Sequence, residues 1–201
     1  MNLFQGCSGK TLANGLRWLR EPPEWGFDDQ GLSIVPAAKT DFFRPHRGEA
    51  VDNACLLYSQ VAGDFTVLTE ASADLVGFGD AAVLTVRASP ELWAKLCIER
   101  SPTGEISIVS VVTDGSSDDA NNELLPRPAC QIRITRSGDV FGMHFSLDGR
   151  RWRFVRTFGL GMPPEVMVGV HAQAPFVGGA RARFRRLELV RAAVADFRSG
   201  E

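Results

Sequence analysis

The chain has 201 residues, of which 44% are hydrophobic and 23% charged, with a formal net charge of -2. These values fit one ordinary globular domain over residues 1–201, with a core from about 16 to 190. Arg181, Arg183, Arg185, Arg186 and Arg191 gather near the end, but acidic residues elsewhere balance them and exclude the basic footprint of a nucleic-acid binder.

In chain order, period-two alternation predicts strands at Leu32–Val35, Ala54–Ser59, Phe65–Ser72, Ala82–Ala88, Leu92–Glu99 and Ile106–Thr113. It continues at Gln131–Thr135, Val140–Ser146, Arg153–Phe158, Val166–Ala172 and Ala180–Val190. Gly63-Asp64, Pro102-Thr-Gly104, Ser137-Gly138-Asp139 and Asp148-Gly149 supply turns, because glycine and Asp tolerate positive φ. No segment keeps a 3.6-residue apolar period over three turns, so the prediction is an all-β, antiparallel β-sandwich or jelly roll. Alternation along the last strand places Arg181, Arg183 and Arg185 on one solvated face. The tail from Ala192 is read as a short helix or a frayed end. Residues 115–128 form a polar loop too long for a hairpin, read as either functional or flexible.

Within the strand Leu92–Glu99, successive side chains point to opposite faces. Trp93, Lys95, Cys97 and Glu99 share one face, while Ala94, Leu96 and Ile98 fill the other as half of a sandwich core. An aromatic ring, an ammonium and a carboxylate on one pleated surface predict a binding floor.

Cys7, Cys55, Cys97 and Cys130 form no C-x-x-C pair, so neither a zinc site nor a redox motif is suggested. Cys55 and Cys97 read as small buried hydrophobes. The acidic residues are too scattered to nominate a calcium cage, and neither a metal site nor a cofactor is predicted. With no basic leader or apolar run ahead of Cys7, few disulfide candidates, and no apolar stretch near the roughly 18 residues a bilayer span needs, the expectation is a cytoplasmic protein without a membrane partner.

Further landmarks run from about Leu16 to Val190. They are Thr40-Asp41-Phe42-Phe43-Arg44, Asp52-Asn53, Gly63-Asp64-Phe65, Trp93-x-Lys95-x-x-x-Glu99, Val111-Val112-Thr113 with Ser117-Asp118, Ser146-x-Asp148-Gly149-x-x-Trp152, and Val168-Gly169-Val170. In order and spacing the chain resembles the regulation-of-enolase-type family, a domain of unknown function with a concanavalin A-like lectin/glucanase jelly roll. It departs from that family at Gly79-Asp80-Ala81, at Asp119 where a tryptophan is usual, and at His171, Gln173 and Ala174. These departures remove aromatic rings from the concave face that the resemblance implies.

An aromatic platform flanked by charged hydrogen-bonders suits a sugar, which has an apolar face and a rim of hydroxyls. Trp93 would stack, while Lys95, Glu99, Arg44 and Asp118 form the rim. Lys95 and Glu99 lie roughly 13 Å apart along a strand, so they would bracket a ligand rather than touch. Asp52, Asn53 and Arg44 are placed to enter the same concavity, although Asp and Asn also satisfy their own backbone in turns. Asp41 has the same ambiguity. Of His46, His144 and His171, only His171 is placed on the concave side.

No laminarinase-type E-x-D-x-x-E strand is present, the pattern by which sandwich glycosidases set two carboxyls near 5 Å. No G-x-S-x-G, H-E-x-x-H or phosphate-binding loop appears either. The first reading is therefore non-catalytic binding of a carbohydrate or small polar sugar derivative. The alternatives are a regulatory domain with a protein partner, and a sugar-active enzyme using Glu99 or His171 as acid or base.

Overall fold

Alternation runs through much of the chain, and the computed structural model, which describes residues 1–201, has sixteen β-strands without a helix. In order these are β1 (Arg17–Trp18), β2 (Glu24–Asp28), β3 (Gly31–Val35), β4 (Phe42–Phe43), β5 (Val51–Asp52), β6 (Leu57–Ala62), β7 (Phe65–Asp74) and β8 (Ala81–Ser89). There follow β9 (Leu92–Arg100), β10 (Ile106–Asp114), β11 (Ser116–Leu124), β12 (Ala129–Ser137), β13 (Val140–Ser146), β14 (Arg153–Gly159), β15 (Glu165–Gln173) and β16 (Arg181–Val190).

They form two seven-stranded antiparallel sheets, ordered β1-β6-β15-β8-β9-β10-β11 and β14-β13-β12-β7-β16-β3-β2, with β4 and β5 as a separate pair. The inner faces meet in a core of 38 buried residues, including Ala94, Leu96 and Ile98 of β9. This is the antiparallel sandwich that the alternation predicts. Along β16, Arg181, Arg183 and Arg185 point outward beside Glu24, Asp28 and Glu70.

Three local expectations are corrected. The polar stretch read as a loop over residues 115–128 is mostly β11, an edge strand paired to β10 from Ser107↔Leu124 to Asp114↔Ser116. Bonded on one side only, it has little need of apolar residues, so alternation does not reveal it. Its acidic residues protect the open edge, and two of them reach the other sheet: Asp118 pairs with Arg156 at 3.6 Å, and Glu123 with Arg153. Second, the tail after Ala192 is neither helical nor detached. It makes turns against the outer face of the second sheet, where the Phe197 carbonyl accepts from His144 Nε2 at 2.8 Å and the Gly200 carbonyl from Arg133 Nη2 at 2.6 Å.

The third correction bears on function. The outer face of the β9 sheet is not an open floor, because the segment carrying β4 lies against it and closes a second core. Phe42 packs there with Val83, Trp93, Cys97, Val109 and Val111 in a cluster of 10 buried residues. Paired backbone hydrogen bonds of 3.2 Å between Thr40 and Ala174 tie this segment to the end of β15.

Candidate ligand-binding site

Trp93 occupies the covered part of that face. Its side chain has no exposed surface, its ring lies 6.2 Å from that of Phe42, and its Nε1 donates to the Pro90 carbonyl at 3.2 Å. The stacking platform expected at Trp93 is therefore corrected: the ring is a core residue.

Lys95 sits one step along the same face and is also buried. Its Nζ donates to Asp41 Oδ1 at 2.7 Å, to the Phe42 carbonyl at 2.8 Å and to Gln173 Oε1 at 2.9 Å. An ammonium has three protons, and all three are committed. Burial disfavours its charge, but the carboxylates of Asp41 and Glu99 outweigh burial and hold the lysine above its ordinary value. Lys95 thus locks the β4 segment to the sheet.

Where the β4 cover ends, a cavity of about 180 Å³ opens, lined by Asp41, Lys95, Glu99, Asp119 and Gln173 with Phe78 and Phe176 at its lip. It is smaller than the roughly 300–1,000 Å³ of a typical small-molecule pocket, a size suited to one ring or one functional group. Glu99 forms no hydrogen bond or ion pair there. Burial raises its carboxyl, Lys95 lowers it, and Asp41, Asp119 and Asp80 raise it again, to a value of about 7.

The lip is built from two loops, residues 75–80 between β7 and β8 and residues 174–180 between β15 and β16. Asp80 Oδ2 accepts from the backbone of Val76 at 2.9 Å and of Gly77 at 2.7 Å, which braces the first loop. Gly79 has φ +77°, and a Cβ there would stand 2.9 Å from Pro175. Glycine therefore lets the two loops meet. As a result Phe78 and Phe176 stack with centroids 5.3 Å apart and planes at 18°, while 45% and 56% exposed. Alternation is silent about these two rings. The available signal is an aromatic residue set in a Gly-Phe-Gly turn and another after Pro175, where no core can use them.

Of the other residues predicted for the site, none lines the cavity. Arg44 braces the start of β11, its Nε donating to the Gly115 carbonyl at 2.9 Å and its Nη2 meeting Glu91 at 3.2 Å. Asp52 is held between Arg20 at 3.1 Å and Arg87 at 2.8 Å. Asn53 ties together the open ends of the β4–β5 pair, donating to the Lys39 carbonyl at 2.9 Å and accepting from the Asp41 backbone at 3.0 Å. Asp118 faces Arg156 on β14, leaving its neighbour Asp119 as the cavity residue. His171 is fully buried beneath Phe42, with Nδ1 3.0 Å from Thr85 Oγ1, and burial followed by repulsion from Lys95 holds it well below its ordinary pKa. That position corrects its candidacy as acid or base, since no ligand in the cavity reaches it.

A larger hollow of about 450 Å³ lies on the outer face of the other sheet. Its walls are mainly polar side chains without an aromatic ring, and its Arg183 and Arg185 are largely exposed with acidic neighbours at 3.9 and 3.7 Å. Such contacts contribute little, so the smaller cavity is the better-defined site.

The family model described as "Protein of unknown function (DUF1349)" matches residues 18–192. The chain belongs to the DUF1349 family. Within reach of this DUF1349 protein is "Regulation of enolase protein 1" of Saccharomyces cerevisiae, 26% identical over 175 residues that cover 86% of this chain and 87% of that protein. Among solved structures, a functionally unknown protein from Saccharomyces cerevisiae superposes with a TM-score of 0.84 at 24% identity, covering 90% of this chain and 98% of that one. The GH43 protein BlXynB of Bacillus licheniformis gives a TM-score of 0.70 at 15% identity, over 92% of this chain but 38% of that one. The carbohydrate-binding module CBM66 of Bacillus subtilis gives 0.51 at 14% identity, over 87% and 94% of the two chains. At these identities the solved structures establish the β-sandwich frame.

Proposed function

We propose that this DUF1349 protein binds carbohydrate, holding one ring in the cavity beside Glu99 with an apolar face against Phe78 and Phe176. One observation carries this reading: a stacked, solvent-facing pair of phenylalanines directly borders an unpartnered carboxyl. Soluble proteins keep such rings exposed where they meet something, and a sugar presents the matching combination of apolar face and hydroxyl rim. The carbohydrate-binding module with the same frame supports the reading. A protein-interaction role is the second reading, favoured by Val76 and Val177 extending the exposed apolar tip around the two rings.

Titration calorimetry with xylo-, cello- and chito-oligosaccharides tests the proposal. Phe176→Ala and Phe78→Ala are expected to weaken binding by about tenfold each, as loss of roughly 1.4 kcal/mol of half-buried ring contact implies, with the melting temperature little changed. Oligosaccharide binding that survives both substitutions would sink this placement.

A further inference from the structure

The chemistry of the cavity wall restricts the ligand beyond "a sugar". Its side-chain donors are nearly all used: Lys95 gives its three protons to Asp41, Phe42 and Gln173, and Gln173 Nε2 gives one of its two to the Gly79 carbonyl at 2.9 Å. What remains for a ligand is mainly acceptors. Glu99 and Asp119 line the space without a hydrogen-bond partner, and Asp80 stands behind the lip with its Oδ1 buried and unpaired. Counting Asp41, four carboxyl groups surround one ammonium that is itself committed.

Resting on the carbohydrate reading above, we propose that the occupant carries an ammonium group, as in a hexosamine with its amine free, rather than a carboxylate, sulfate or phosphate. An anionic sugar would meet two unpaired carboxyls and at most one free proton, on the Gln173 amide. A neutral sugar would donate hydroxyl protons but leave the charge of the half-buried Glu99 uncompensated once the ring displaces water from the cavity, which is costly. An ammonium supplies both donors and charge, and the faces of Phe78 and Phe176 attract a cation through their ring quadrupoles. A metal ion is a poor alternative, because no three acidic, histidine or cysteine side chains are close enough together to hold one. The raised affinity of Glu99 for protons agrees, since burial and the surrounding carboxylates outweigh Lys95 there and favour an added positive charge.

The test is calorimetric titration at pH 7 of the full chain with four probes: a glucosamine tetramer, its fully N-acetylated counterpart, cellotetraose and a galacturonic acid tetramer. An Nα-acetyl-lysine amide control supplies an ammonium without a sugar. The glucosamine tetramer is expected to bind about tenfold tighter than either neutral tetramer, a single partly desolvated cation contact being worth that much, and the galacturonate tetramer not at all. Glu99→Gln and Asp119→Asn should each remove most of the preference for the amine, read as the ratio of glucosamine-tetramer to cellotetraose affinity. Because the two positions lie on different strands, a folding defect in one variant leaves the other to report, with melting curves as the control. Equal binding of amino and neutral tetramers would overturn the ammonium inference and leave the carbohydrate reading standing. Binding of the lysine amide as tight as the glucosamine tetramer would keep the ammonium and overturn the sugar. Absence of binding by all five probes would overturn both.

Discussion

The Lys95 ammonium exchanges water for three acceptors, and this exchange fixes what the outer face of the β9 sheet can do. With Asp41, the Phe42 carbonyl and Gln173 all on one nitrogen, removing the charge strands a mostly buried carboxylate. Lys95→Met keeps the length of the side chain and deletes only the donor. It is expected to destabilise the protein by about 3–5 kcal/mol, the usual cost of breaking a buried pair from one side, as read by chemical denaturation. A loss below about 1 kcal/mol would mean that the β4 segment is held by Phe42 packing instead. Alternation was enough to put Trp93, Lys95 and Glu99 on one face. It could not tell that Phe42, far away in sequence, would bury the first two and leave the third open, because that depends on where a connecting segment lies. Phe78 and Phe176 escaped for the same reason: a loop has no period.

At the scale of elements, β15 shows how tightly the frame constrains its residues. Gly169 lies opposite Tyr58 of β6, and a Cβ built on it would stand 1.9 Å from the Leu57 carbonyl oxygen and 2.7 Å from Tyr58 Cα. Those atoms are backbone and cannot rotate away. Gly169→Ala is therefore expected to push β15 off β6 at a cost above about 2 kcal/mol, lowering the unfolding midpoint; an unchanged midpoint would show that the strand pair opens freely. The central strands, which bury both faces or alternate cleanly, were readable from their residues to within two or three positions. Strands β1, β4 and β5 are two residues long, too short for any period. β11 is longer, but its Ser-Ser-Asp-Asp-Ala-Asn-Asn-Glu-Leu sequence is dictated by edge protection and by its ion pairs to β14, so its composition resembles that of a loop.

For the whole molecule, the two buried histidines and Glu99 oppose one another as pH changes. His144 Nε2 donates to the Phe197 carbonyl, which leaves Nδ1 buried without a partner, so a second proton has no acceptor. Burial lowers this histidine to about 4, and His171 is also held well below its ordinary value. An unfolded chain takes up these protons near pH 6.5. Both groups therefore stabilise the fold fully above that pH, and their contribution is lost as pH falls, for His144 down to about 4. Glu99 works in the other direction. Its folded pKa of about 7 exceeds the unfolded value, so its contribution is present in acid and lost as pH rises from roughly 4.5 to 7. Two groups against one predict a net loss of stability between about pH 6.5 and 4.5. His144→Gln retains a donor for Phe197 but cannot titrate, and should flatten that loss, since the histidine accounts for roughly 2–3 kcal/mol of it by pH 4.5. Glu99→Gln should steepen the loss and raise the melting temperature at pH 8. Melting curves of the three proteins from pH 8 to 4.5 decide the matter: if His144→Gln follows the parent slope, the contact between the tail and the second sheet is not closed tightly enough to exclude a proton.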